Sequence, residues 1–178
     1  MNLPPDWSEF IALLCSHRVR FLVVGAHALA AHGRPRATGD LDLWVEPTPA
    51  NAERVGRAIR EFGFERLGSQ TAEFAQPDRM ATMGRPPLRI DVMTSVSGLT
   101  FRRAWRRRIV TRFGQHEIGF LGRADLLQNK RASGRPKDLA DIALLLEADE
   151  ANAAAEAKPA PGVRAASRQK RRRPGSRR

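Results

Sequence analysis

The sequence predicts a single domain of mixed class, α/β or α+β, in which helices flank a small mixed sheet. Two observations lead to this fold class. Segments with apolar residues at helical spacing are interspersed with short apolar or alternating segments that are typical of strands. The first strand also leads directly into a helix and then into a second strand, as at the start of a βαβ unit. A chain of 178 residues is long enough for one such domain with a hydrophobic core.

The individual elements follow from apolar periodicity and from turn residues. Asp6 or Ser8 is suited to cap the first helix, and Thr48 with Pro49 marks the start of the third. Gly25 ends the first strand. In chain order, we predict a helix at 6–19, a strand at 20–25, a helix at 26–33, a strand at 40–45, a helix at 47–64, a strand at 86–95, a helix running into a strand at 98–110, a hairpin at 109–122, and helices at 123–134 and 136–148.

The composition argues against a membrane-spanning protein and excludes an internal disulfide. No apolar run approaches the roughly 20 residues that a bilayer-spanning helix needs. The single cysteine, Cys15, has no partner within the chain and fits a reducing compartment. The first residues include acids where a secretory signal has basic residues. We therefore expect a cytoplasmic protein with no membrane partner.

The net charge of +12 is concentrated near the C-terminus. Residues 151–178 contain nine Lys/Arg and one acid, whereas residues 1–150 contain 22 basic and 18 acidic residues. The terminal segment lacks hydrophobic periodicity and is rich in Ala, Pro, Gly, Ser and Arg. This composition predicts a disordered basic tail at 151–178 after a domain at 1–150. Such a tail either binds nucleic-acid phosphates or only solubilises the protein, and the sequence leaves both readings open.

Two acids, Asp40 and Asp42, interrupt an otherwise apolar strand. Residues i and i+2 of a strand project from the same face, so these carboxylates lie close together and repel each other. A divalent cation removes the repulsion, and Mg²⁺ prefers one or two carboxylates together with substrate phosphates. A third acid, Asp91, lies in a later strand between Ile90 and Val92, which we expect to face the core. If the two strands are neighbours, the three carboxylates form the kind of site that two-metal phosphoryl transfer requires.

Gly25 and the residues around it suggest a phosphate-binding element. A strand that ends in glycine and leads directly into a helix presents backbone N–H groups at the helix N-terminus, where anionic phosphates bind. Arg36 precedes the acids by a few residues and either adds positive charge for a triphosphate or simply lines the turn.

These motifs resemble the signature of the nucleotidyltransferase superfamily of the DNA polymerase beta type. The residues that carry the resemblance are VVGAHALAAHGRPRATGDLDLWV at 23–45 and RIDV at 89–92. A second segment, NKRASGRPKDLADIALL at 129–145, resembles a conserved region of the abortive-infection toxin-like branch of that superfamily. The presence of both regions in one chain indicates this superfamily more specifically than either region does alone.

The resemblance implies a nucleotidyltransferase-like fold that uses Mg²⁺, with two ions expected, and an NTP as substrate. It also implies that Asp138 or Asp141 positions Lys130 or takes part in acid–base work. The implied metal ligands are Asp40, Asp42 and Asp91; the further catalytic residues are Lys130 and Asp141; the nucleotide-binding residues are Gly25, Ala26, Arg36, Lys130 and Asp138.

The function that follows is transfer of a nucleoside monophosphate from an NTP to an acceptor hydroxyl, with release of pyrophosphate. RNA is the expected acceptor, with tRNA as one candidate; a protein side chain and a small aminoglycoside-like molecule are the alternatives. The protein would serve in a toxin–antitoxin pair or in phage defence. An alternative rests on Ala26, where active members more often carry Gly or Ser, and on the few residues after the second region. In that alternative the chain is a catalytically degenerate nucleotide- or RNA-binding protein that acts as a toxin–antitoxin partner. A third reading is nucleic-acid binding through the basic tail alone.

The segment FRRAWRRR at 101–108 has two readings of equal weight. Aromatic residues between arginines bind RNA by base stacking and phosphate contacts. An amphipathic helix with Phe101 and Trp105 in the core explains the same letters. The two readings are compatible with each other.

Overall fold

The computed structural model describes residues 3–156, with side chains described for residues 3–147. Helices and short strands are interspersed along the chain. The helices are α1 (Pro5–Ser16), α2 (Gly25–Ala31), α3 (Pro49–Glu61), α4 (Glu65–Gly68), α5 (Thr71–Phe74), α6 (Phe101–Arg106), α7 (Arg123–Ser133) and α8 (Pro136–Glu156). The strands are β1 (Phe21–Val23), β2 (Asp40–Val45), β3 (Met80–Met83), β4 (Arg89–Met93), β5 (Ile109–Phe113) and β6 (His116–Phe120).

The strands form one mixed sheet in the order β3-β4-β2-β1-β6-β5. β2 pairs with β4 in parallel, and β1 pairs with β6 in parallel. The pairs β1–β2, β3–β4 and β5–β6 are antiparallel. β2 and β4 therefore lie in the interior of the sheet, and the edges are β3 and β5. This arrangement confirms the predicted mixed sheet flanked by helices.

The hydrophobic core joins the sheet to its helices. Leu41 and Leu43 of β2 are completely buried and alternate with the two acids, as a strand with one apolar face requires. Ile90 and Val92 of β4 are also buried, as expected for the residues on either side of Asp91. The helices contribute the buried side chains Trp7, Phe10, Ile11 and Leu14 from α1 and Val55, Ala58 and Ile59 from α3.

Most predicted elements are present, and three details of the prediction are wrong. α1 begins at Pro5 with no side-chain cap, so that Asp6 lies within the first turn instead of capping it. β1 and β2 are antiparallel, so β1-α2-β2 is not a βαβ unit. The prediction did not include α4, α5 or β3, because elements of four residues contain too little periodicity to be recognised. The cap at Thr48 is confirmed, since its hydroxyl accepts a hydrogen bond from the Asn51 N–H.

The predicted boundary at residue 150 falls inside α8, which continues to Glu156. The predicted disordered tail at 151–178 therefore overlaps the helix over its first six residues. The rest of the tail, 157–178, lies outside the described residues.

Candidate active site

The acidic face of the sheet is built by the parallel pairing of β2 with β4. In the register of this pair, Asp42 lies opposite Asp91, and Asp40 lies opposite Arg89. Side chains at paired positions of neighbouring strands project from the same face, so the three acids form one cluster. The structure thus brings together the carboxylates that the sequence pattern selected.

Gly25 packs directly against this cluster. Its backbone has a φ of +63°, in the left-handed region that glycine adopts without strain. A Cβ atom at this position would overlap Oδ2 of Asp42 and lie 2.9 Å from its Cγ. A residue with a side chain would therefore displace the Asp42 carboxylate, so the approach of backbone to carboxylate depends on glycine.

Asp42 has an unusual electrostatic environment. Burial raises the pKa of its carboxyl, and the neighbouring charges of Asp40 and Asp91 raise it further, against a smaller opposing effect of Lys137 and Lys130. Among the described residues, none donates a hydrogen bond to its side chain. Asp42 therefore projects a poorly compensated negative charge into the site.

Arg89 forms ion pairs with the other two acids. Its Nη2 donates to Oδ2 of Asp40 at 2.5 Å, and its Nε donates to Oδ2 of Asp91 at 3.0 Å. Asp91 also accepts a hydrogen bond of 2.8 Å from the Thr82 hydroxyl. The Thr38 hydroxyl lies 3.3 Å from Oδ1 of Asp40. Asp40 and Asp91 are thus paired in this structure, unlike Asp42.

The donor set has the chemistry that Mg²⁺ requires, but its present arrangement is closed by Arg89. Carboxylate oxygens are the preferred protein ligands of Mg²⁺, and Asp42 has an oxygen pair with no other partner among the described residues. No group of three or more His, Cys, Asp or Glu side chains in the described part of the chain is arranged to hold a metal ion. The residues fit a divalent cation if Arg89 releases Asp40 and Asp91.

A second cluster of charges lies at the junction of α7 and α8. Lys130 of α7 is 3% exposed and donates hydrogen bonds to Asp138 at 2.8 Å and to Asp141 at 2.5 Å. Arg36 donates to Asp141 at 3.0 Å, and Arg135 donates to Asp138 at 2.6 Å. Three cations thus share two buried carboxylates, and Arg36 connects the turn before β2 to α8.

The carboxyl of Asp138 is stabilised in its charged form. Burial alone would raise its pKa, but hydrogen bonds from Arg135 and Lys130 outweigh burial and hold the pKa well below its usual value. The hydrogen bond from Lys130 to Asp138, together with the one to Asp141, fixes the Lys130 side chain in place. This geometry agrees with a positioning role for Asp138 and Asp141.

Both clusters line one cleft of about 850 Å³. The strands supply its acids, and the α7–α8 junction supplies cations, with Lys137 close enough to Asp42 to influence its pKa. Every residue that the sequence selected lines this cleft except the two carboxylates behind Lys130. The selected residues in its wall are Gly25, Ala26, Arg36, Asp40, Asp42, Asp91 and Lys130; those outside it are Asp138 and Asp141.

Arg89 is the site residue that sequence reasoning missed. Arg89 precedes Asp91 by two residues and therefore lies on the same face of β4, so the motif RIDV was enough to predict that Arg89 belongs to the site. Thr82 was missed because β3 was not recognised at all. Lys137 was seen only as part of a helix, although it lines the cleft.

Residues Phe101–Arg106 of this segment form the amphipathic helix α6, as the second reading proposed. Phe101 is buried, and Trp105 packs partly into the core. The guanidinium groups of Arg20 and Arg108 lie over the Trp105 ring at 4.8 Å and 4.0 Å from its centroid. These intramolecular contacts occupy the Trp105 ring, so base stacking on it is not supported.

A comparison with known protein families and with curated proteins finds no match for this chain. Within the part of the chain that the structure describes, no helix has both the length and the apolar character needed to cross a membrane.

Proposed function

We propose that this protein is a Mg²⁺-dependent nucleotidyltransferase that transfers a nucleoside monophosphate from an NTP to an acceptor hydroxyl. The observation that supports this best is the pairing of Asp42 with Asp91 on parallel strands, with Gly25 in contact with Asp42. An acidic face, a close approach of backbone and a cluster of cations occur in one cleft. A metal nucleotide needs this combination, because its metal and its phosphates carry opposite charges.

The chain's own residues would act mainly by positioning and by charge. Asp40, Asp42 and Asp91 would hold the metal, which when bound neutralises phosphate charge and activates the acceptor hydroxyl. Arg36, Arg135 and Lys137 supply positive charge where the triphosphate enters. Lys130 donates two hydrogen bonds to Asp138 and Asp141 and also lines the cleft, so its third N–H would donate to a phosphate oxygen. Attack of the acceptor oxygen on the α-phosphorus then releases pyrophosphate.

The proposed acceptor is RNA, with tRNA as the first candidate to test, and the proposed location is the cytoplasm. The body of the protein carries a positive excess that suits a polyanion. A role in a toxin–antitoxin pair or in phage defence belongs to the same proposal and brings with it a protein partner.

One observation favours a second candidate, a nucleotide-binding protein without catalysis. Arg89 already pairs with Asp40 and Asp91, so two of the three acids have a cation partner without a metal ion. A protein of this kind would bind nucleotide equally well with Mg²⁺ and with a chelator. The proposed enzyme would bind nucleotide more tightly with Mg²⁺.

The deciding experiment measures transfer of label from each α-³²P NTP to total RNA and to protein in the presence of Mg²⁺. Asp42→Asn tests the site, and Asp6→Asn serves as the matched control because Asp6 is an exposed acid on α1. Label that depends on Asp42 and not on Asp6 establishes the enzyme and its acceptor class. If there is no transfer, and Mg²⁺ does not affect NTP binding, the second candidate replaces the first.

A further inference from the structure

The outer side of α6 and the residue that follows it carry several exposed arginines. Residues 92–116 contain six arginines and no acid. Four of these arginines form what we call the α6 arginine face: Arg102, Arg103, Arg106 and Arg107. All four are exposed, whereas Phe101 and Ala104 of the same helix are buried.

Among the described residues, Asp125 is the one carboxylate paired with this face. Arg103 and Arg107 lie 3.7 Å and 3.3 Å from Oδ1 of Asp125, which is buried. Both guanidinium groups nevertheless stay open to solvent, with 52% and 44% of their side chains exposed. Arg102 and Arg106 have no polar or charged partner among the described residues. The α6 arginine face therefore keeps a large excess of positive charge.

The α6 arginine face adjoins the cleft through Gln128. The Gln128 side chain accepts a hydrogen bond from Arg103 at 3.1 Å and donates one to the carbonyl of Gly98 at 2.6 Å. Gly98 and the neighbouring Asn129 line the cleft. Asn129 also donates to the carbonyl of Ser97, so the loop between cleft and helix is fastened to α7. The α6 arginine face and the cleft are therefore connected through a single side chain, Gln128.

We infer that the α6 arginine face binds the phosphate backbone of the RNA whose end enters the cleft. This inference rests on the proposed function and names the surface that receives its acceptor. Arginine matches phosphate oxygens through paired N–H groups. The Trp105 ring is covered by Arg20 and Arg108, so recognition uses phosphate contacts without base stacking. Binding is therefore insensitive to base sequence and strongly dependent on salt.

The test compares two charge-matched variants of the full chain. Arg102→Gln/Arg106→Gln removes two charges from the α6 arginine face. Arg57→Gln/Arg66→Gln removes two exposed arginines from α3 and α4, which do not line the cleft. Fluorescence anisotropy with labelled oligouridylate and oligoadenylate gives the dissociation constant over a range of salt concentrations. Thermal unfolding verifies that each variant is folded, and we expect no change because both pairs are exposed.

The expected result is a smaller salt dependence in the α6 variant alone. Each phosphate contact to a single strand contributes about 0.7 to the slope of log K against log salt, so two lost contacts lower the slope by about 1.4. The two oligonucleotides should bind equally. Equal losses of RNA affinity in both variants would show that binding depends on net charge only. Unchanged RNA affinity in both variants would show that the α6 arginine face does not bind RNA and would favour an acidic protein as its partner. Either result would overturn the inference, as would a strong preference between the oligonucleotides.

The same experiment separates this inference from the proposed activity. If the α6 variant binds RNA more weakly although wild type shows no label transfer, RNA binding by the α6 arginine face is supported and the nucleotidyltransferase activity is not. If label transfer occurs and the α6 variant binds RNA as tightly as wild type, the nucleotidyltransferase activity is supported and RNA binding by the α6 arginine face is not.

Discussion

Asp42 and Asp91 lie opposite each other on β2 and β4, yet only Asp91 accepts side-chain hydrogen bonds from described residues. The Thr82 hydroxyl and the Arg89 guanidinium compensate Asp91. Asp42 has a raised pKa because it is buried beside two other carboxylates. This asymmetry makes Asp42 the acid of the cluster with the least compensated charge, and the one best placed to bind a cation.

We predict that Asp42→Asn stabilises the metal-free protein. The substitution removes a buried charge and its repulsion from Asp40 and Asp91, which should raise the free energy of unfolding by about 1 kcal/mol. For a chain of this length that corresponds to a rise in Tm of about 2–4 °C. Thermal unfolding in EDTA measures it, with Asp6→Asn as control. A lower Tm for Asp42→Asn than for the control would contradict the electrostatic argument.

Replacing Arg89 should have opposite effects on stability and on metal affinity. Arg89→Gln leaves Asp40 and Asp91 without their cation, so the metal-free protein unfolds more readily. The freed carboxylates should bind Mn²⁺, used as a probe for Mg²⁺, more tightly than the wild type does. Electron paramagnetic resonance of free Mn²⁺ gives the affinity directly. Weaker Mn²⁺ binding in Arg89→Gln would mean that Arg89 helps to form the metal site instead of closing it.

Gly25→Ala should disrupt the site while Gly33→Ala does not. Both glycines have a positive φ, so each alanine pays a similar backbone penalty of about 1–2 kcal/mol. Only the Cβ at position 25 meets the Asp42 carboxylate, whereas nothing lies within 4 Å of a Cβ at position 33. Isothermal titration with Mg²⁺ and a non-hydrolysable NTP should detect binding in Gly33→Ala and lose it in Gly25→Ala. Equal binding by both variants would refute the role of this contact.

Lys130 should be critical for stability as well as for activity. Lys130→Met removes the cation that bridges two buried carboxylates, and leaves each of them with one arginine partner, Arg36 for Asp141 and Arg135 for Asp138. We expect a loss of about 3 kcal/mol in the free energy of unfolding, measured by urea denaturation. Arg131→Met changes the adjacent exposed cation and should stay within about 0.5 kcal/mol of wild type. Similar values for the two variants would show that the buried pairs add little.

The depressed pKa of Asp138 predicts a loss of stability in acid. The unfolded carboxyl binds a proton near its ordinary pKa of about 4, whereas the folded one resists protonation to lower pH. The unfolded state therefore binds more protons in this range, and stability falls as pH decreases from about 5 through 4 and below. Unfolding measured across this range should show a shallower dependence on pH in Asp138→Asn. An identical slope in the variant would assign the acid sensitivity to other groups.

Several features of the fold and site were predictable because they depend on short stretches of sequence. The i and i+2 spacing puts Asp40 and Asp42 on one face wherever the strand lies, and the buried Leu41 and Leu43 follow from the same alternation. The predicted contribution of Asp91 needed one further condition, that its strand lies beside β2, and the sheet order satisfies it. Four-residue elements such as β3 escaped prediction because they contain too few positions to establish a period.

The sequence by itself determined the mixed fold class, most of the longer helices and strands, and the choice of candidate acids. Tertiary structure alone decided which charges meet: Arg89 with Asp40 and Asp91, Arg36 with Asp141, and the two arginines that cover Trp105. The physical reason is the range of each effect. Backbone periodicity acts over a few residues, whereas an ion pair depends on how segments far apart in the chain pack, and on which cation then lies within reach of a carboxylate.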